Sequence, residues 1–206
     1  VRYFYHRTLD KVYQRLHPDE PWLTPEANRL LDQALRPDFN GLEFGSGRST
    51  LWFAARLGKL TSVEHNPEWY DRVKHMLAER GISNVEYVLA PENEKVDGQP
   101  AYALAADRFA GESLDFILID GILRDDCVNR ALPKLRPGGM LVIDDVHRYL
   151  PSDSIAPYAR TRAQGPVSEG WRQFMEKTAA WKCIWSQNGV SDTAIFYKPL
   201  MAIPLP

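Results

Sequence analysis

The chain has 206 residues, 44% hydrophobic and 25% charged, enough for one full-sized hydrophobic core and little beyond it. A formal net charge of -2 and the lack of any apolar run near the roughly 20 residues of a membrane span exclude a globally basic protein and a helical membrane anchor, so neither nucleic acid nor membrane is expected as a partner. The opening VRYFYHRTLD carries no signal-peptide core, and Cys127 and Cys183 stand far apart among apolar neighbours without metal-ligand spacing; both are expected to be buried thiols in a reducing, cytoplasmic setting.

Two helical patterns come first, one over residues 6–16 and one opening at LTPEANRLLDQAL, where Thr24 suits an N-cap and Pro25 the first helical position. They are expected to form a helical cover over residues 1–37. From Phe39 short apolar runs alternate with helical patterns: FNGLEF as a strand, RSTLWFAARLG as a helix, KLTSVEH as a second strand. PEWYDRVKHMLAERG is a helix with Trp69, Val73, Met76 and Leu77 on one face and a left-handed stop at Gly81. NVEYVLA is the third strand. LDFILID, nearly unbroken in its apolar character, is the fourth and is covered on both faces. A helix around DDCVNRALPKL leads to RPGGMLVIDD, in which Pro137, Gly138 and Gly139 form a turn before a fifth strand. Residues 147–170, punctuated by Pro151, Pro157, Gly165 and Pro166, read as an irregular substrate loop. The remainder, 171–206, reads as a helix and then a hairpin of WKCIWSQ and SDTAIFYKP turning at Asn188-Gly189. The whole is one α/β domain whose cofactor-binding core is 38–146.

The stretch GLEFGSGRST is the turn that carries chemistry. A glycine-rich turn between a strand and a helix lets backbone amides approach a ligand. The dinucleotide pattern G-x-G-x-x-G is matched by Gly45 and Gly47 but has Thr50 at its third small position. Glu64 follows about 20 residues on, where an acid accepts hydrogen bonds from ribose hydroxyls; that spacing serves NAD and S-adenosylmethionine alike. Glu43 separates them. A carboxylate beside the turn repels a pyrophosphate and favours a cationic ligand, directly or through water. S-adenosylmethionine carries a sulfonium and an ammonium. His65 and Asn66 are placed to flank the adenosine, and Trp69 either packs on the sheet, the preferred reading, or borders the adenine.

Glu43-Phe44-Gly45-Ser46-Gly47 fits the E/D-x-G-x-G first motif of the class I S-adenosylmethionine-dependent methyltransferases. With Glu64, LDFILIDG, LRPGGMLVIDD and the terminal hairpin following in order, residues 39–198 resemble that family. The resemblance implies a Rossmann-like, seven-stranded, mostly parallel sheet with helices on both faces and a C-terminal antiparallel hairpin. It implies S-adenosyl-L-methionine as cofactor, held by Glu43, Phe44, Gly45, Ser46, Gly47, Ser49, Thr50, Glu64, His65, Asn66 and Asp120, with a small molecule as methyl acceptor.

Asp120 ends the fourth strand and Asp144-Asp145 the fifth, and the carboxyl ends of strands in such sheets face the ligand crevice. This is similar to the catechol O-methyltransferase-like branch, which implies Mg²⁺ held by Asp120, Asp144 and Asp145. The lysine base of that branch, three residues after the first acid, is replaced by Leu123, with Arg124 next. His147 is then the best replacement base, since an imidazole titrating at about 6.5 can take a hydroxyl proton, with Asp120 and Asp144 as its catalytic companions. The other readings are a surface loop histidine, an Asp120 that contacts the methionine amino group or caps the following helix without metal, and an Asp144-Asp145 pair that only caps the loop. Arg160, Arg162, Trp171 and Arg172 form either an arginine-rich lid for an anionic acceptor or a solvated charged loop. Trp22 and Thr24 either lie over the cofactor or merely open a helix. The acid cluster, and the lack of an N/D-P-P-Y/F motif after the fourth strand, favour oxygen over nitrogen as the methylated atom, in a sugar or other secondary metabolite. Two other readings use the same turn: an NAD(P)-dependent oxidoreductase, which needs a hydride-transfer set such as Tyr-x-x-x-Lys, and a cofactor-binding protein that has lost turnover.

Overall fold

A computed structural model describes residues 2–200. The chain opens with α1 (Arg2–Leu16) and α2 (Pro25–Ala34), then alternates β1 (Asn40–Phe44), α3 (Arg48–Ala54), β2 (Lys59–Glu64), α4 (Pro67–Glu79) and β3 (Val85–Leu89). A small hairpin of β4 (Lys95–Val96) and β5 (Gln99–Pro100) and the one-turn α5 (Ala101–Leu104) precede β6 (Leu114–Ile119), α6 (Arg124–Ala131) and β7 (Leu135–Ile143). After a loop come α7 (Glu169–Lys177), β8 (Lys182–Gln187) and β9 (Asp192–Tyr197).

The main sheet has seven strands in the order β3-β2-β1-β6-β7-β9-β8. β1 pairs in parallel with both β2 and β6, and β7 pairs in parallel with β6, while β9 runs antiparallel to β7 and β8 antiparallel to β9. The chain therefore winds outward from β1 to β3 and then crosses back to lay β6 on the other side of β1. That reversal leaves a crevice beyond the carboxyl ends of β1 and β6, where ligands of open α/β sheets bind.

Strand alternation divides the core into two layers. Ile117 and Ile119 of β6, Leu141 and Ile143 of β7, and Leu42 and Phe44 of β1 share one layer with Cys127, Val128, Trp171 and Phe174. Phe116 and Leu118, with Met140 and Val142, face the other layer, formed with Phe53 and with Leu31 and Ala27 of α2. Burying each such large side chain is worth about 1.5–3 kcal/mol. α2 is thus part of the core rather than a mere cover, whereas α1 buries none of its side chains and is tied to the hairpin loop by Asn188 Nδ2 donating to Asp10 Oδ1 at 3.0 Å.

Several expectations are corrected. Thr24 makes no side-chain cap; its hydroxyl donates to Ser186 at 2.7 Å and its N–H to the Thr193 hydroxyl at 3.1 Å, docking α2 on the terminal hairpin. β7 starts ahead of the glycine pair, and the turn at Gly138 (φ +78°) lies inside the strand as a shift of register against β6. The terminal hairpin turns through residues 188–191, with Asn188 Oδ1 accepting from the N–H groups of Val190 and Ser191. Cys127 is buried, but Cys183 is exposed, because β8 is the last strand of the sheet. Among the described residues no helix is long and apolar enough to cross a membrane.

Candidate active site

The turn after β1 is held from beneath. Since Leu42 and Phe44 face one layer, Glu43 faces the other, under α3 and fully buried. There Ser49, Thr50 and Ser62 each donate a hydroxyl hydrogen bond to its carboxylate at 2.6 Å. Burial pushes the Glu43 carboxyl up to about 7, with the three hydroxyls opposing and Asp120 adding to the rise. Thr50 Oγ1 in turn accepts the Gly47 N–H at 3.0 Å. Glu43 therefore stands behind the turn, where it holds the shape of residues 45–50, and is not on the wall of the neighbouring cavity.

Gly45 (φ +93°) closes the crevice floor: a β-carbon there would lie 2.7 Å from the Gly121 nitrogen and 2.8 Å from the Asp120 carbonyl carbon. Phe44 is buried, and its carbonyl accepts the Asp120 N–H at 2.8 Å, joining the same two loops. Ser46 donates to Glu64 Oε2 through both its N–H (3.0 Å) and its hydroxyl (2.7 Å), while Glu64 Oε1 accepts the N–H groups of His65 (2.9 Å) and Asn66 (2.8 Å). Glu64 thus binds the two loops to each other. Asn66 Oδ1 caps α4 through the Trp69 N–H, and Trp69 Nε1 donates to the Ser46 carbonyl at 2.7 Å.

A cavity of about 290 Å³ opens above this turn, lined by Trp22, Gly47, Arg48, Ser49, Trp69 and Asp120 among others. Its size is at the lower edge of the ~300–1,000 Å³ range of ligand pockets. Trp22 comes from the segment before α2 and stacks on the Arg48 guanidinium, 4.7 Å from the ring centroid. Trp69 both borders the cavity and packs on Leu51, Val73 and Leu77, so the two readings of that residue are compatible. His65 and Asn66 border a separate, more open depression with Pro91 and Glu92.

The three aspartates are neighbours at the strand ends but do not form one ligand set. Asp120 Oδ1 pairs with Arg124 at 3.0 Å; Asp144 Oδ1 accepts the Thr193 hydroxyl at 2.7 Å; Asp145, in the left-handed region at φ +51°, pairs with Arg148 at 3.5 Å. Burial raises the Asp120 carboxyl to about 6, with Arg124 opposing and Asp145 adding. Burial, then Asp120 and Asp145, raise that of Asp144 as well. Among the described residues no group of three or more His, Cys, Asp or Glu is arranged to hold a metal ion. The donor set does not fit Mg²⁺: a guanidinium is already inserted against Asp120, and each acid has a partner of its own.

His147 is fully buried and absent from the cavity wall; its Nδ1 accepts the Asp192 N–H at 3.2 Å, and burial lowers its pKa. It fastens the loop after β7 to β9. The arginine-rich loop is similarly tied down: Arg160 donates to the Gly165 carbonyl, Arg162 pairs with Asp153, and Arg172 pairs with Glu169 and Glu176. Trp171 is a core side chain stacked on Tyr149. Tyr70 and Lys74 have Tyr-x-x-x-Lys spacing, but they lie on α4 with Tyr70 stacked on Tyr87.

Two contributors carry no sequence signal of their own. Tyr102 of α5 is fully buried beside Phe44, with no partner for its hydroxyl, and a β-carbon on Gly121 would lie 1.9 Å from that oxygen. Arg124 reaches back from α6 to the ends of β6 and β7.

Residues 42–146 match the family described as "Methyltransferase domain". Among curated proteins nothing matches. Solved structures with the same fold include a methyltransferase-like protein from Silicibacter pomeroyi (24% identity, TM-score 0.57, covering 91% of each chain). A proposed caffeoyl-CoA O-methyltransferase from Staphylococcus aureus shares 15% identity with a TM-score of 0.61 over 93% of this chain and 91% of that one. A methyltransferase from Geobacter sulfurreducens shares 15% identity with a TM-score of 0.56, covering 95% and 89%.

Proposed function

The chain belongs to the methyltransferase-domain family, and on that premise we propose that it methylates an oxygen atom of a small molecule held beside Asp120. The family makes it an S-adenosylmethionine-dependent methyltransferase, and the oxidoreductase and non-catalytic readings of the glycine turn fall away.

The turn fits the cofactor: Gly47 bares its backbone on the wall of a cavity shared with Ser49, Trp69 and Asp120, and Gly45 lets the turn close on the backbone of Gly121. Bound S-adenosylmethionine supplies a methyl group activated by a positively charged sulfur. What the chain must add is position and the handling of one proton. The Glu43 hydroxyl cage fixes the turn, while Trp22 and Trp69 narrow the space around it. Asp120 is the single observation that carries the oxygen reading. Its carboxylate lies on the cavity wall and is raised to about 6, so near neutral pH it is largely ionised and basic enough to accept a hydroxyl proton. The O-methyltransferase assignment of one structural neighbour is in keeping with this.

The test is transfer of labelled methyl from S-adenosylmethionine to a panel of hydroxyl- and amine-bearing small molecules, with Asp120→Asn alongside. Label on hydroxyl acceptors, lost in the variant, is expected; label confined to amines would overturn the oxygen reading.

A further inference from the structure

We propose that Arg124 is a resident cation that compensates the acid cluster at the ends of β6 and β7, so that this methyltransferase binds its ligands without a divalent metal. The inference rests on the reading above that these strand ends flank the reaction centre.

Leu123 adopts the left-handed conformation (φ +48°), which is unfavourable for a branched side chain, and it turns the first residue of α6 back toward the sheet. From there the Arg124 guanidinium spans two neighbouring parallel strands. Nε donates to the Gly121 carbonyl at 2.8 Å. Nη2 donates to the carbonyl and to Oδ1 of Asp120, both at 3.0 Å, and Nη1 to the Asp144 carbonyl. Its side chain is only 11% exposed, and Tyr149 covers it with the ring centroid 5.4 Å away.

A hard divalent cation at this place would need the oxygens of Asp120 and of the β7 end as ligands. Arg124 already takes Oδ1 of Asp120 and the main-chain carbonyls of Asp120 and Asp144, and a second cation placed against the same oxygens would be repelled by the guanidinium. Asp144 and Asp145 are drawn off to Thr193 and Arg148. The pairing steadies the partly buried Asp120 carboxylate, and a guanidinium stays protonated at every physiological pH. Its planar fork also fixes the distance between the two strand ends, which a mobile aqueous ion would not do.

The experiment is calorimetric titration of the full chain with MgCl₂ and MnCl₂, with and without S-adenosylhomocysteine. No saturable heat is expected from either metal, and the affinity for S-adenosylhomocysteine should be the same in chelator. Arg124→Ala should weaken S-adenosylhomocysteine about tenfold or more, and Mn²⁺ should restore part of that loss; a purely structural arginine would not bring in metal sensitivity. Arg124→Lys, which keeps the charge without the fork, serves if the alanine variant fails to fold, and it should bind the ligand at reduced affinity with no metal response. Saturable metal binding by the unmodified chain that disappears in Asp144→Asn would overturn the proposal. So would a folded Arg124→Ala with undiminished affinity in chelator. If the chain bound no S-adenosylhomocysteine at all, that would count against the methyltransferase reading, and the metal titration of the free chain would still decide this one.

Discussion

The Thr50 hydroxyl donates to Glu43 at 2.6 Å and accepts the Gly47 N–H at 3.0 Å, so one side chain couples the buried acid of β1 to the backbone at the cavity wall. The shape of the glycine turn is therefore set by what lies under it. Thr50→Val keeps the volume but leaves a carboxylate short of a donor and an amide short of an acceptor. A loss of about 1–3 kcal/mol in denaturant stability is expected, together with weaker S-adenosylhomocysteine binding, and Thr50→Ser should restore both. Normal binding by Thr50→Val would mean that the turn keeps its shape without the cage.

The raised carboxyl of Glu43 has a consequence for stability. Its ordinary value is 4.5 and its folded value about 7, so between those limits the folded state binds more proton than the unfolded one. The contribution of this group is greatest below pH 4.5 and is lost as pH rises toward 7. Relative to Glu43→Gln, the unmodified chain should lose stability across that window in urea melts and run parallel to the variant above it. A difference that grows with pH in the opposite sense would show that the hydroxyl cage outweighs burial.

Tyr102 and Gly121 form a testable pair. The Tyr102 hydroxyl is buried without a partner and occupies the place of a Gly121 side chain. Tyr102→Phe should stabilise the protein by about 1 kcal/mol, since an unsatisfied buried group is removed. Gly121→Ala should be strongly destabilising, and the double variant should recover part of the loss, with a coupling of about 0.5–3 kcal/mol. Strict additivity of the two changes would contradict the contact.

His147 anchors the loop after β7 instead of facing the cavity. His147→Ala should cost about 1–3 kcal/mol of stability and leave S-adenosylhomocysteine affinity within twofold, as read by calorimetry. A folded variant with intact affinity but abolished methyl transfer would return the histidine to the catalytic set.

The fold was largely legible because its signals are local. The unbroken apolar run of β6, the alternation of short strands with helices, and the glycine turn each follow from a few consecutive residues. The β4–β5 hairpin was equally local, since Asp97 and Gly98 both have positive φ as a tight hairpin turn demands, but a two-residue strand leaves almost no pattern around that signal. The candidate site was legible only in part. Glu43 could be placed beside the turn, yet its facing is set by the two-residue period of β1, which points Phe44 one way and Glu43 the other. Asp120, Asp144 and Asp145 are close in the fold as their strand-end positions imply, but Arg124 divides them through a backward reach that begins at a left-handed Leu123. Nothing in the residue types around 123 announces that conformation. Tyr102 enters from an irregular connection, where neither period applies.

Calorimetric titration of the full chain and of Gly45→Val with S-adenosylhomocysteine, and separately with NADH, tests whether the turn at residues 45–50 is the S-adenosylmethionine site. At Gly45 any side chain meets the backbone of Gly121 and an unfavourable positive φ. The expected result is one-to-one binding of S-adenosylhomocysteine by the unmodified chain, lost in the folded variant, with NADH bound weakly or not at all. Tighter binding of NADH, or S-adenosylhomocysteine affinity retained in a folded Gly45→Val, would contradict it.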